Sequence, residues 1–147
     1  MKKIMFIGAV GTGKTTLTQR LQGLDITYQK TQAIESSQYI VDTPGEFVQR
    51  RQFYSALQVT SSGVDCIGIL QCVDEKFNTF PPGFGSMFSK PVIGIITKMD
   101  KTDDPELIKK AEQSLRSSGA REIFKVSSIE DDGIKELLAY LEYEEEA

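Results

Sequence analysis

Five short apolar runs, each bounded by turn or charged residues, recur along the chain. They lie at residues 4–8, 39–42, 64–73, 92–97 and 122–126. Continuous apolar runs of this kind are typical of parallel strands that are covered on both faces. The pattern therefore predicts a sheet that is mainly parallel.

Helical patterns alternate with these runs. In the clearest one, Asp104 is suited to cap the N terminus, Pro105 to take the first helical position and Gly119 to end the helix. The apolar residues of this helix are Leu107, Ile108, Ala111 and Leu115, and the last helix is predicted to have Ile134, Leu137, Leu138 and Leu141 on one stripe. Strand and helix alternation predicts one doubly wound, three-layer α/β domain over residues 1–147, with helices on both faces of the sheet.

The composition narrows the class of protein. Of the 147 residues, 39% are hydrophobic and 26% are charged, as in soluble globular proteins, and no apolar run is long enough to span a membrane. We therefore expect a cytosolic protein. A net charge of −4 argues against general nucleic-acid binding. The chain has no histidine, so catalysis is expected to use carboxylates, hydroxyls, lysine, backbone amides or a hard cation.

The two cysteines, Cys66 and Cys72, both lie in the third apolar run. On one strand they would be about 20 Å apart, which is beyond disulfide reach. We therefore expect two buried free thiols.

A glycine-rich segment, GAVGTGKT at residues 8–15, follows the first predicted strand and precedes a helical pattern. It fits the pattern G-x-x-x-x-G-K-[ST], in which glycines let backbone N–H groups surround phosphate oxygens. Lys14 is predicted to reach the β- and γ-phosphates, and the Thr15 hydroxyl to bind Mg²⁺. The predicted phosphate-binding residues are Gly8, Gly11, Thr12, Gly13, Lys14, Thr15 and Thr16.

A second phosphate motif, VDTPGE, closes the next apolar run at residues 41–46. The carboxylate of Asp42 is predicted to hold the Mg²⁺ shell, and the backbone N–H of Gly45 to contact a γ-phosphate. Without the glycine-rich segment, the same residues would indicate only a strand that ends in a Pro-Gly turn.

The segment TKMD, from Thr97 to Asp100, closes another predicted strand. The Asp100 carboxylate can accept hydrogen bonds from N1–H and the 2-amino group of guanine, whereas adenine has an acceptor at N1 and no 2-amino group. The stem of Lys98 is predicted to cover the base. Backbone N–H groups at Ser127 and Ser128 are predicted to contact the guanine oxygen. A guanine nucleotide is therefore expected.

These motifs, in this order, resemble the first, third, fourth and fifth nucleotide motifs of small Ras-like or translation-factor-type P-loop GTPases. YQKTQAIE (28–35), VDTPGE, FYSAL (53–57), FPPGF (80–84) and KPVIGIITKMD (90–100) are similar to the EutP/PduV group. That group is associated with ethanolamine or 1,2-propanediol utilisation in bacteria with protein-shelled microcompartments. The resemblance implies a P-loop GTPase-type fold and a cytosolic bacterial setting. It also makes Thr31 the candidate switch-loop ligand of Mg²⁺, a role that Thr27 could serve instead.

Three departures from the larger GTPase family affect the expectations. The interval from Lys14 to Asp42 is short, which predicts a stunted or missing second strand. Glu46 stands where many relatives carry a water-orienting glutamine. Its carboxylate could orient water but would repel the γ-phosphate, which predicts slow hydrolysis. Alternatively, Glu46 simply starts a helix. Thr97 replaces the commoner asparagine, which predicts looser nucleotide discrimination.

Two further features each have two interpretations. Arg50 and Arg51 could act as an arginine finger in cis, although most arginine pairs on helices are simply solvated. Residues 74–90 contain four of the eight phenylalanines and could dock a partner or cap the sheet. We favour the cap.

Three functional hypotheses follow. The first is an Mg²⁺-dependent GTPase, with GTP and GDP as ligands and Lys14 and Glu46 at the reacting phosphate, that controls association with a microcompartment shell or a metabolic enzyme. The second is an acetate kinase that uses ATP and ADP, as members of the EutP group have been described, although this conflicts with the interpretation of Asp100. The third is a scaffold whose bound nucleotide does not turn over.

Overall fold

The structure, a computed structural model, describes residues 2–9, 11–28, 40–43, 51–75, 80–128 and 133–142. Five strands and four α-helices alternate along these residues. In chain order they are β1 (Ile4–Ile7), α1 (Lys14–Tyr28), β2 (Ile40–Asp42), α2 (Tyr54–Ser61), β3 (Cys66–Cys72), β4 (Val92–Thr97), α3 (Pro105–Ser117), β5 (Glu122–Lys125) and α4 (Ile134–Glu142). Short 3₁₀ turns cover Arg51–Phe53, Phe84–Met87 and Met99–Lys101.

The strands form one sheet in the order β2-β1-β3-β4-β5, and every pair is parallel. From β1 the chain passes to β2 on one side, and then to β3 on the other side of β1. This change of direction creates a crevice at the carboxyl end of β1, which is where parallel α/β sheets bind ligands. The predicted phosphate loop begins at this position.

Two apolar layers cover the sheet because successive side chains of a strand point to opposite faces. Met5 and Ile7 of β1 lie on one face with residues of α2 and α3, whereas Ile4 and Phe6 lie on the other with residues of α1 and α4. All residues of β1, β3 and β4 are buried. The predicted doubly wound, three-layer α/β class is confirmed.

The boundaries of α3 follow its capping residues. The Asp104 carboxylate accepts a hydrogen bond from the backbone N–H of Glu106 at 3.0 Å, and Pro105 is the first helical residue, as predicted. Leu107, one of the four apolar positions of the pattern, is 37% exposed. The buried stripe starts at Ile108, and Leu107 lies about 100° around the helix from it.

The predicted stripe of α4 is buried at three of its four positions. Ile134, Leu137 and Leu141 have no exposed surface, and Leu138 is partly buried against the same cluster. A period of 3.6 residues therefore located this face correctly.

The described part of the aromatic segment covers the sheet. Phe80, Phe84 and Phe88 are buried, with ring centroids 5.0 Å and 5.6 Å apart along the series. The backbone N–H of Gly83 donates to the carbonyl of Ser117, the last residue of α3, at 2.9 Å. The backbone N–H of Gly85 donates to the carbonyl of Ser118, the next residue, at 2.7 Å. The structure therefore favours the interpretation as a cap for these residues.

The thiols of Cys66 and Cys72 are free and buried, as predicted. Burial raises the pKa of the Cys66 thiol to about 12. Within the described ranges, no helix has the length and hydropathy of a membrane span. The GTPase family's usual second strand, which is not β2 of this structure, was predicted to be stunted or missing. It would fall between residues 29 and 39, outside the described residues, so this stays a prediction.

Candidate nucleotide site

The described residues of the loop between β1 and α1 include two glycines in a conformation that favours glycine. Gly11 and Gly13 have φ angles of 87° and 89°, in the left-handed region that residues with a Cβ rarely adopt. The backbone N–H and the hydroxyl of Thr12 both donate to the carbonyl of Ala9, at 3.2 Å and 3.0 Å. These bonds close the loop on itself.

The same loop passes close to β3. A Cβ at Gly8 would lie 2.8 Å from the Thr12 hydroxyl and 3.2 Å from the Leu70 Cβ. Any larger residue at this position would force the Thr12 hydroxyl and Leu70 to shift. The first predicted residue of the motif has a packing role in addition to any role in binding.

The first turn of α1 carries the remaining phosphate-motif residues. Lys14 is buried, and its carbonyl accepts a hydrogen bond from the Thr18 hydroxyl at 2.9 Å. Thr15 and Thr16 are exposed on the same turn. Because the first N–H groups of a helix have no partner within the helix and carry partial positive charge, this position favours an anion.

The TKMD segment is attached directly to the phosphate loop. The Thr97 hydroxyl donates to the carbonyl of Thr12 at 2.6 Å, and the Lys98 ammonium donates to the carbonyl of Gly11 at 2.6 Å. Thr97 is buried, and Lys98 has a φ of 60°. Threonine in place of asparagine thus supplies a hydrogen bond between the two loops, while the predicted looser discrimination stays a prediction.

Asp100 is held by one of the two predicted serines. One of its carboxylate oxygens accepts a hydrogen bond from the Ser127 hydroxyl at 2.7 Å, and Ser127 is fully buried. Ser127 was predicted to act through its backbone N–H, and its contact with Asp100 was not predicted. The backbone N–H of Met99 also donates to the carbonyl of Val126 at 3.1 Å, so the TKMD segment and the segment that contains the serines are joined twice.

A cavity of about 250 Å³ lies where these segments meet. Its lining comes from the phosphate loop, α1, the TKMD segment and the serine pair. The lining residues are Gly13, Thr16, Thr97, Lys98, Asp100, Lys101 and Ser128. Lys101 was not predicted, although its position next to Asp100 was a signal for it.

The end of β2 lies beside β1. Asp42 is in register with Phe6, and both the backbone N–H and the hydroxyl of Thr43 donate to the Phe6 carbonyl, at 3.4 Å and 2.8 Å. Thr43 is buried and was not predicted; a hydroxyl directly after a strand was the available signal. The Thr15 hydroxyl and the Asp42 carboxylate are hard oxygen donors, the type that Mg²⁺ prefers.

Several predicted residues lie outside the described part of the chain. They are Thr31, Gly45, Glu46 and Arg50, together with the side chains of Thr27, Asp42 and Arg51. Their predicted roles stay predictions.

The fold defines the class of architecture. A parallel sheet with a glycine-rich loop at its switch point, between β1 and α1, is the fold of P-loop GTPases. The structure is similar to that of translation elongation factor SelB from Methanococcus maripaludis in complex with the GTP analogue GPPNHP, with a TM-score of 0.60 and 22% identity. This similarity covers 95% of the chain and 32% of SelB.

The chain belongs to the PduV-EutP family, described as "Ethanolamine utilisation - propanediol utilisation", whose profile matches residues 1–143. It is 40% identical to the propanediol utilization protein PduV of Citrobacter freundii, over 99% of this chain and 96% of that protein. It is 36% identical to the probable acetate kinase EutP of Salmonella typhimurium, over 100% of this chain and 96% of that protein.

Proposed function

We propose that the chain binds GTP and GDP in the cavity between the phosphate loop and the TKMD segment. The observation that carries this proposal is the carboxylate of Asp100, which lines the cavity and is held by the buried Ser127 hydroxyl at 2.7 Å. A carboxylate fixed in this way accepts from N1–H and the 2-amino group of guanine. Adenine would place an acceptor against it, which favours guanine.

The phosphates are proposed to bind at the start of α1, where backbone N–H groups and Lys14 supply positive charge. Thr15 and Asp42, with Thr31 in the triphosphate state, would hold Mg²⁺. When bound, the ion neutralises charge on the β- and γ-phosphates. Glu46 and Gly45 are proposed to lie near the γ-phosphate, and repulsion from the Glu46 carboxylate makes hydrolysis slow.

The proposed biological role is control by the bound nucleotide of association with a metabolic assembly. Membership of a family of ethanolamine and propanediol utilisation supports this role. A microcompartment shell protein or an enzyme of these pathways is the proposed partner, and GTP hydrolysis would end the association.

Competitive binding of GTP, GDP, ATP and ADP to nucleotide-free protein with Mg²⁺ tests the proposal. We expect guanine nucleotides to bind at least about tenfold more tightly than adenine nucleotides, and Asp100→Ala to remove this preference. Asp104→Ala is the matched control, because Asp104 caps α3 and does not line the cavity. Equal affinity for ATP, or a preference that survives Asp100→Ala, would contradict guanine recognition.

A second candidate function is acetate kinase activity, favoured by the similarity to the probable acetate kinase EutP of Salmonella typhimurium. The same phosphate loop would then hold ATP or ADP. A coupled assay that detects acetate-dependent ADP formation by the wild type, but not by Lys14→Ala, would replace the first function with this one. Release of inorganic phosphate from GTP without acetate, dependent on Lys14, would exclude phosphotransfer as the main activity.

A further inference from the structure

Lys101 lines the cavity of about 250 Å³ in which the base is proposed to bind, called the base cavity below. It is the last residue of the 3₁₀ turn that contains Asp100. Its ammonium group is 3.7 Å from a carboxylate oxygen of Asp74, which lies in the turn after β3. Both side chains are 46% exposed. A partner on a neighbouring loop therefore restricts where the Lys101 side chain lies.

Asp74 is itself held by the end of β3. The Cys72 thiol donates to the other carboxylate oxygen of Asp74 at 2.8 Å. This hydrogen bond is the main reason that the pKa of Asp74 lies below its usual value, so Asp74 is ionised at neutral pH. Cys72 is in register with Thr97, whose hydroxyl joins the TKMD segment to the phosphate loop. The contacts from Cys72 through Asp74 to Lys101 therefore start beside Thr97.

The cavity thus has two lysines whose ammonium groups are both bound to oxygen atoms of the protein. Lys98 binds the carbonyl of Gly11 at 2.6 Å, and Lys101 is paired with Asp74. A lysine held at its charged end presents its methylene stem to a neighbouring apolar surface, and a purine base offers such a surface. An unrestrained lysine would lose much more rotamer freedom when the base binds.

We propose that Asp74 is a positioning residue for nucleotide binding, which acts by holding the stem of Lys101 against the base cavity. This inference rests on the proposed nucleotide function. It adds Lys101 as one wall of the cavity and Asp74 as the residue that fixes this wall. Because the ion pair is half exposed, its effect is modest and decreases as salt screens it.

The test measures the affinity for a fluorescent ribose-labelled GDP at low and at high ionic strength. Lys101→Ala removes the stem, Lys101→Met keeps an unbranched apolar side chain without the charge, and Asp74→Asn keeps an acceptor for Cys72 without the charge. We expect the Kd to rise about two- to fivefold for Lys101→Ala and for Asp74→Asn at low salt, and the effect of Asp74→Asn to shrink at high salt. Lys101→Met keeps the apolar stem without the ion pair, so its Kd is expected to rise no more than that of Asp74→Asn.

The double variant distinguishes positioning through Lys101 from any other role of Asp74. In the Lys101→Met background, Asp74→Asn is expected to cause no further loss. An equal loss in that background, or wild-type affinity in both Lys101→Ala and Asp74→Asn, would overturn the inference. Lys110→Ala, on the exposed face of α3, is the control for loss of a lysine. A wild type that binds no nucleotide would overturn the proposed function instead, so the two failures are distinguishable.

Discussion

Two irregular segments next to the sheet differ in the side chains that hold them in place. The phosphate loop is fixed by hydrogen bonds from the Thr97 and Lys98 side chains to its carbonyl groups, whereas residues 80–88 are fixed by three buried phenylalanine rings in addition to backbone hydrogen bonds to the end of α3. A loop that presents backbone N–H groups to a ligand cannot be covered by apolar side chains, so polar groups of the neighbouring loop must hold it. The aromatic segment closes one face of the sheet and is free to use apolar packing.

The comparison predicts that damage to the aromatic segment lowers stability and leaves binding intact. Phe84→Ala should lower the free energy of unfolding by about 3–5 kcal/mol, because Phe84 is buried and contacts Phe80, Phe88 and Tyr54. Urea unfolding measures this change, and GDP titration below the transition measures the affinity of the folded fraction. Val59→Ala, at a position that is 73% exposed, is the control with little expected change. A fall in GDP affinity in Phe84→Ala would show that the two segments are coupled.

The polar attachment should affect both stability and binding. Thr97→Val keeps the shape of the side chain but leaves the Thr12 carbonyl without its 2.6 Å hydrogen bond, which is expected to cost about 1–3 kcal/mol of stability. Because the phosphate loop loses its attachment, GDP affinity should also fall, by about tenfold. Thr97→Ser retains the hydroxyl and should restore most of the affinity. Wild-type affinity in Thr97→Val would contradict the role of this hydrogen bond.

A helix cap outside both segments should affect stability alone. Asp104→Ala removes the hydrogen bond to the Glu106 N–H and should lower the free energy of unfolding by about 1 kcal/mol. Thermal unfolding followed by circular dichroism measures this difference. Asp103→Ala, at the exposed neighbour, should change little. Weaker nucleotide binding in Asp104→Ala would mean that α3 helps to position the TKMD segment.

The fold could be predicted because local patterns determine most of its elements. Continuous apolar runs located the five strands of the described residues, with errors of at most two residues at their ends. The run at 64–73 was too long because Val64 and Asp65 precede β3, where their backbone N–H groups bond Ser61 and Lys3. A helical pattern locates apolar positions but does not show which of them are buried, and Leu107 is 37% exposed.

The site could be predicted only as a set of residues. The motifs named the phosphate loop, Asp100 and the serines, but not the contacts between them. The Thr97 and Lys98 side chains bond carbonyls 85 and 87 positions away in the sequence. The partner of Asp74 likewise depends on how the turn after β3 meets the TKMD segment. Such contacts depend on tertiary packing and side-chain rotamers, which one sequence does not show.

Calorimetric titration of GDP with Mg²⁺ into the wild type and Lys14→Ala tests the central claim most directly. The wild type should bind one nucleotide per chain, and Lys14→Ala should bind about tenfold to a hundredfold more weakly, because a charged donor to the phosphates is lost. Lys90→Ala, outside the cavity lining, should bind as the wild type does. Folded wild-type protein that takes up neither GDP nor any other purine nucleotide, or equal binding by Lys14→Ala, would contradict the account.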